Sequence, residues 1–153
     1  MPSPYPPDLL ARIAARCEAS PGREACGFVV RRGAALEVEE VPNAADAAHA
    51  EDPVGHPRTS REAYFMEPDA LLAVFERHAR EGLEIVAVWH SHVDAPAVFS
   101  AKDQEDALLD GEPALPGAEH LVFSLRAGVA VEARRYVFGG SRFVEAPLAP
   151  LTR

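Results

Sequence analysis

Residues 83–92 constrain the fold of this chain more than any other segment. They read LEIVAVWHSH, so apolar side chains dominate the run until two histidines appear at its end. A near-continuous apolar run of this length is typical of a β-strand that other elements cover on both faces. We therefore predict a central strand here. Its uninterrupted apolar part, residues 85–89, is far shorter than the ~20 residues of a membrane helix, so we expect no membrane span.

Turn signals and hydrophobic periods divide the rest of the chain into helices and strands. Helical spacing after Pro7 predicts an opening helix that ends near residues 20–22, and a second helix begins at Pro68 and ends near residues 81–82. A short third helix is predicted over residues 100–109. β-favouring runs predict strands at residues 24–32, 35–41, 64–66, 119–125, 129–138 and 142–146. This order predicts one α/β domain over residues 1–153, with a mixed β-sheet flanked by helices.

Residues 42–61 differ from their surroundings. They are polar and rich in alanine, two prolines interrupt them, and they show neither a helical nor a strand period. We predict a loop. Loops this long are uncommon in compact domains and usually carry function or are disordered, so this segment, called the flap below, is a candidate cover for a substrate. Its histidines, His49 and His56, are assigned no role, because solvated loop histidines are common.

Charge and length exclude several classes of function. The chain has 153 residues, 48% of them hydrophobic, which is enough for a core of its own. Its formal net charge of -9 would repel a phosphate backbone, so we expect no nucleic-acid partner. The N-terminus lacks the basic start and apolar stretch of a secretory signal. Cys17 and Cys26 are too few for a disulfide framework. We expect a cytoplasmic protein with two thiols.

Three potential metal ligands lie at and after the central strand. Side chains alternate along a strand, so His90 and His92 project to one face, where two imidazoles can share an ion. Asp103 follows in the first turn of a helix and can supply a third ligand, which leaves one tetrahedral position for water, as in catalytic zinc sites. The alternatives are that each histidine is hydrogen-bonded core, and that Ser100 and Asp103 form the capping box of that helix. A cap would orient Asp103 without excluding ligation.

The spacing of these residues resembles the motif of a known metalloprotease family. Two histidines one residue apart are followed after seven residues by Ser100, and Asp103 comes three residues later, as in the JAMM (MPN+/JAB) motif. The order of the predicted elements is also similar, over about residues 9–138. The resemblance implies a cytidine-deaminase-like α/β fold and one Zn²⁺ ion per chain, held by His90, His92 and Asp103.

The same resemblance gives catalytic roles to two residues. The segment REACGF is similar to an early strand of the family, whose glutamate activates the attacking water, and Glu24 would be that general base and then acid. An exposed strand-end carboxylate is the alternative for Glu24. Ser100 would donate its hydroxyl to the oxyanion of the tetrahedral intermediate. Val93 and Phe99 replace prolines that are common in the family, which affects the shape of the loop over the metal but removes no ligand.

The resemblance implies a zinc-dependent peptidase or isopeptidase. Short bacterial members of the family release adducts from the Gly-Gly tail of ubiquitin-like or sulfur-carrier proteins. Such a carrier is the expected substrate, and an E1-like enzyme of the same pathway is a further expected partner.

The alternative is a non-catalytic MPN-type metal-binding scaffold or interaction domain, which usually lacks a ligand or the glutamate. DNA-repair-associated JAB relatives share the same spacing, but they typically have other residues at the positions of Ser91 and of residues 93–95. The sequence therefore does not match that class. A nucleophile at Cys26 would need a histidine base, and its apolar neighbours indicate buried core instead.

Overall fold

The computed structural model describes residues 3–151, in which four helices and eight strands form. The helices are α1 (Pro7–Glu18), α2 (Ala45–Glu51), α3 (Pro68–Glu81) and α4 (Ala101–Ala107). The strands are β1 (Cys26–Arg32), β2 (Ala35–Val41), β3 (Glu84–Val93), β4 (Leu108–Leu109), β5 (Glu112–Pro113), β6 (Glu119–Arg126), β7 (Val129–Phe138) and β8 (Phe143–Ala146).

Six strands form one mixed sheet in the order β2-β1-β3-β6-β7-β8. Only β3 and β6 pair in parallel, and the other neighbours within the described residues are antiparallel. A parallel pair needs a crossover connection, which here contains α4 and the small β4–β5 hairpin. The sequence correctly predicts the central position of β3. The predicted fold class, a mixed sheet flanked by helices, is confirmed.

Alternation along the strands gives the sheet two different faces. On one face, Trp89 of β3 packs in a buried cluster with Leu10 and Ile13 of α1. On the opposite face, two smaller apolar clusters lie beneath α3 and α4. His90 and His92 contact Asp103 of α4 on this second face. The potential ligands therefore lie between the sheet and α4.

Gly27 allows the indole of Trp89 to lie close against β1. A Cβ atom at residue 27 would stand 2.7 Å from the Trp89 ring and would also collide with the Glu39 carbonyl oxygen. The indole N–H donates to that same carbonyl at 3.1 Å. Glycine is therefore required at residue 27. The buried indole of Trp89 in β3 contacts both β1 and β2, and it holds these three strands together next to His90.

The structure corrects the prediction for residues 42–66. The flap is not a loop throughout, because α2 occupies its first half, where the alanine-rich sequence ADAAHAE favours a helix. The strand predicted at residues 64–66 does not form. Phe65 instead accepts a hydrogen bond from the N–H of Ala44 and donates to the side chain of Asn43. Side-chain hydrogen bonding replaces a strand ladder here.

The other predicted elements differ mainly at their ends. The helix predicted to reach residue 109 ends at Ala107, because Leu108 is extended and begins the β4–β5 hairpin. Both strands of the first hairpin form, although β1 begins at Cys26 rather than at residue 24. In the described part of the chain no helix has the length and apolarity needed to cross a membrane.

Candidate metal centre

Three buried side chains bring their ligand atoms to one point. The Nε2 atoms of His90 and His92 are 3.1 Å apart. Asp103 places Oδ1 3.4 Å from the Nε2 of His90 and Oδ2 3.3 Å from that of His92. Tetrahedral Zn²⁺ with bonds of about 2.0–2.1 Å separates two ligand atoms by about 3.3 Å. The set can therefore hold a metal ion, and its separations fit an ion of that size.

Hydrogen bonding and charge favour a cation at this point. The Nδ1 atom of His92 lies 2.7 Å from the carbonyl oxygen of Pro96. A carbonyl only accepts, so Nδ1 carries the proton and Nε2 presents its lone pair to the centre. Burial alone would raise the pKa of Asp103, but the two histidines and the Ser100 N–H outweigh it and hold that pKa well below its usual range. A carboxylate that stays ionised and two imidazole nitrogens thus converge at one point, where a cation can take the place of the histidine protons.

Ser100 and Asp103 form the predicted capping box at the start of α4. The N–H of Asp103 donates to the Ser100 hydroxyl oxygen at 3.0 Å. The N–H of Ser100 donates to Oδ2 of Asp103 at 3.0 Å. The cap holds the carboxylate towards the histidines, so capping and ligation are compatible. The Ser100 hydroxyl also has an O–H of its own, which can donate in addition.

Glu24 opens onto the same cavity as the ligand set. Antiparallel pairing of β1 with β3 sets Cys26 opposite His90, which brings residue 24 to the histidine end of β3. A cavity of about 240 Å³ lies there. Its wall includes Glu24, Tyr64, His92, Ser100, Lys102 and Asp103. Glu24 is only 5% exposed, so the alternative of an exposed strand-end carboxylate is wrong.

The environment of Glu24 favours its protonated form. The pKa of Glu24 is raised from 4.5 to about 8, mainly by burial, with a smaller rise from the charge of Asp103, while His92 and Arg58 oppose the rise. The carboxyl group is therefore mostly protonated at neutral pH when no cation is bound. A cation at the adjacent ligand set would lower this pKa by direct attraction.

The main chain of Glu24 is held from both sides by the flap. Its N–H donates to the Ser60 carbonyl at 2.6 Å, and its carbonyl accepts from the Asn43 side chain at 2.8 Å. Ser60 is itself fixed, because its N–H and its hydroxyl each donate to Asp46 at 2.7 Å. The flap therefore sets the position of Glu24 as well as bordering the cavity.

Asn43 uses its whole side-chain amide in main-chain hydrogen bonds. Besides donating to the Glu24 carbonyl, Nδ2 donates to the Ala63 carbonyl at 3.0 Å, and Oδ1 accepts from Ala45 at 2.9 Å and from Phe65 at 3.0 Å. Sequence reasoning did not find this residue. The only local signal is an asparagine after a proline at a strand end, which indicates a turn without indicating its partners.

Tyr64 is the second site residue that sequence reasoning missed. Its ring lies on the ring of His90, with centroids 4.6 Å apart and an angle of 31° between the planes. It also lines the cavity beside the ligands. The sequence predicted only a strand residue here. A contact between Tyr64 and a residue of β3 that is distant in the sequence leaves no periodic pattern that could indicate it.

Cys26 does not have the properties of a nucleophile. It is fully buried, and its thiol lies 3.3 Å from the Val41 carbonyl. Burial raises its pKa to about 12, so the reactive thiolate is scarce at neutral pH. The predicted position of Cys26 in the buried core is confirmed.

His120 is an unpredicted polar group on the face of the sheet that carries His90. It pairs with Val88 on the neighbouring strand and is buried against the rings of Phe99 and Phe143, 4.9 and 4.7 Å away. Within residues 3–151 its Nδ1 atom has no hydrogen-bond partner. Burial lowers its pKa to about 3. His120 is therefore a neutral imidazole in apolar surroundings.

Comparison with curated proteins gives two short matches. A probable TtuB-protein conjugate cleaving protease of Thermus thermophilus is 42% identical over 45 residues, which is 29% of this chain and 30% of that protein. A desampylase of Pyrococcus furiosus is 40% identical over 40 residues, 26% of this chain and 29% of that protein. The chain thus spans less than a third of the length of these relatives.

Longer matches give the fold and the family. A solution structure from Desulfitobacterium hafniense has a TM-score of 0.62 at 21% identity, covering 90% of this chain and 84% of that one. Another from Salinibacter ruber has a TM-score of 0.58 at 21% identity, covering 97% and 90%. At this identity they show the fold alone. A family model described as prokaryotic homologues of the JAB domain matches residues 6–137, most of the sequence, and the chain therefore belongs to that family.

Proposed function

We propose that this chain is a zinc-dependent peptidase or isopeptidase that hydrolyses the amide bond after the C-terminal tail of a ubiquitin-like or sulfur-carrier protein. The observation that carries the proposal is the convergence of His90, His92 and Asp103 beside the buried carboxyl group of Glu24. A structural zinc site usually has four protein ligands. In the described residues this group has three, and it adjoins a cavity, which favours a catalytic site.

Glu24 is suited to move a proton in this reaction. When bound, zinc supplies polarisation of the scissile carbonyl and a lowered pKa for the attacking water. Glu24 accepts the proton of that water and delivers it to the leaving amine. Its pKa of about 8 without a cation, lowered when a cation is bound, lies in the range where a carboxyl group can both take and return a proton near neutral pH.

Ser100 has the geometry to assist the same step. Its hydroxyl oxygen accepts from the N–H of Asp103, which leaves its O–H free to donate towards the cavity. We assign this O–H to the oxyanion that develops on the scissile carbonyl. Loss of one such donor costs about 10²–10³-fold in turnover in comparable sites.

The substrate class is supported by the matched relatives and by the sheet. One relative is named as a protease that cleaves TtuB–protein conjugates and the other as a desampylase. β2 is an edge strand that leads directly into the flap, so an extended tail can add to that edge beneath residues 42–61. An E1-like enzyme of the same pathway, as a further partner, and a cytoplasmic setting complete the proposal.

The experiment compares wild type with Glu24→Gln, His90→Ala and the control Glu62→Gln. Glu62 also lines the cavity but is exposed. The measurements are zinc content and cleavage of a carrier-protein fusion joined through a Gly-Gly tail. We expect Glu24→Gln to keep zinc and lose cleavage, His90→Ala to lose both, and Glu62→Gln to keep both.

Two results would count against this function. A wild-type protein without stoichiometric metal would remove its central premise. Stoichiometric zinc without cleavage of any Gly-Gly carrier fusion would favour the metal-binding scaffold instead.

A further inference from the structure

The two histidines of the ligand set are held in different ways. The Nδ1–H of His92 donates to the Pro96 carbonyl at 2.7 Å, which is how metal-binding histidines are commonly oriented. The Nδ1 atom of His90 is buried and has no hydrogen-bond partner within residues 3–151. Rotation of the His90 ring is therefore not restrained by a hydrogen bond at Nδ1.

The ring of Tyr64 contacts His90 and can restrain its rotation instead. The ring of Tyr64 lies 4.6 Å from that of His90, at an angle of 31°, within the range in which aromatic rings attract each other. Stacking of this kind covers one face of the imidazole and opposes its rotation out of the plane that points Nε2 at Asp103.

Tyr64 is itself held firmly by its chain neighbours. Asn43 donates to the Ala63 carbonyl and accepts from the Phe65 N–H, so the residues on both sides of Tyr64 are fixed to one side chain. The Phe65 carbonyl also accepts from Ala44 at 2.8 Å. The ring on His90 is therefore part of an anchored segment rather than a free loop side chain.

We propose that Tyr64 is a positioning residue for the metal, whose ring orients His90 in place of the hydrogen bond that orients His92. The inference rests on the proposed metal site. It also makes the segment that follows the flap a determinant of metal affinity, although that segment supplies no ligand.

The test measures Zn²⁺ affinity by competition with a chelator, together with the d–d absorption spectrum of the Co²⁺-loaded protein, which reports ligand geometry. Tyr64→Leu and Tyr64→Met remove the ring and keep apolar bulk, whereas Tyr64→Phe keeps the ring and removes the hydroxyl. Phe65→Leu is the matched control, because the Phe65 ring contacts His56 at 4.8 Å rather than a ligand. Thermal unfolding of each metal-free variant checks that it is folded.

We expect Tyr64→Leu and Tyr64→Met to weaken Zn²⁺ binding by about 10-fold or more, the usual effect of losing a group that orients a ligand, and to change the Co²⁺ spectrum. Tyr64→Phe and Phe65→Leu should stay within about 2-fold of wild type, well below that effect. Wild-type affinity and spectrum in the folded Leu or Met variant would overturn the inference, as would equal losses in Tyr64→Phe or Phe65→Leu. A wild-type protein that binds no Zn²⁺ would instead overturn the proposed function.

Discussion

Replacing Glu24 with glutamine is expected to stabilise the metal-free protein, by an amount that grows with pH. Burial raises the pKa of Glu24 from 4.5 to about 8, so the folded protein keeps a proton that the unfolded chain releases above pH 4.5. Stability therefore falls as pH rises between these values, by about 1.4 kcal/mol per pH unit. Glutamine has no such proton. The advantage of Glu24→Gln should accordingly be about 3 kcal/mol larger at pH 7.5 than at pH 5.

Urea unfolding followed by circular dichroism, with a chelator present, measures this difference at several pH values between the two. Wild type and variant share every other titrating group, so most of the pH-dependent difference between them comes from residue 24. A constant offset between Glu24→Gln and wild type over this range would refute the reasoning, because it would mean that Glu24 ionises as freely in the fold as in the unfolded chain.

Further predictions concern the supporting residues. Asn43→Ala should lower the free energy of unfolding by about 2–3 kcal/mol, because four main-chain hydrogen bonds are lost; chemical unfolding measures this. His120→Leu should raise the free energy of unfolding, by about 2 kcal/mol more at pH 5 than at pH 7.5. The pKa of His120 is about 3 in the folded protein, so at pH 5 the unfolded wild type binds a proton that the folded protein does not. A difference between variant and wild type that does not change with pH would contradict this prediction. Ser100→Ala should lower the free energy of unfolding by about 1 kcal/mol, and Ser100→Asn should lower it less, since asparagine can cap α4. Thermal unfolding of the two variants compares these losses. Added Zn²⁺ should raise the Tm of wild type but not of His92→Ala in calorimetry.

The convergence of His90, His92 and Asp103 could be predicted from the sequence because its geometry is local. Strand alternation alone puts His90 and His92 on one face, and the capping box marks the helix start that carries Asp103. The position of Glu24 depends on the long-range pairing of β1 with β3, which no local pattern specifies. The family resemblance, rather than residue spacing, supplied that residue.

The flap was the least predictable part of the chain. Its helix α2 is short and lacks a side-chain cap, so the usual start signal is absent. The course of the following residues is set by the amide of Asn43, one side chain whose bonds replace a regular ladder. The contact of Tyr64 with His90 is purely tertiary. Periodicity carries no information about such contacts.

Asn43 also closes the flap at its base, since it bonds Ala45 where the chain enters and Phe65 just after it leaves. The hydrogen bonds from Ser60 to Asp46 join the two ends of the flap a second time, further along the chain. Lengthening a loop whose ends are already fastened together costs little, because closure entropy rises slowly with length. Residues 47–59 can therefore change in length at little cost while the hydrogen bonds at their base are kept, so the border of the cavity beside His92 and Asp103 can vary without moving the residues below it.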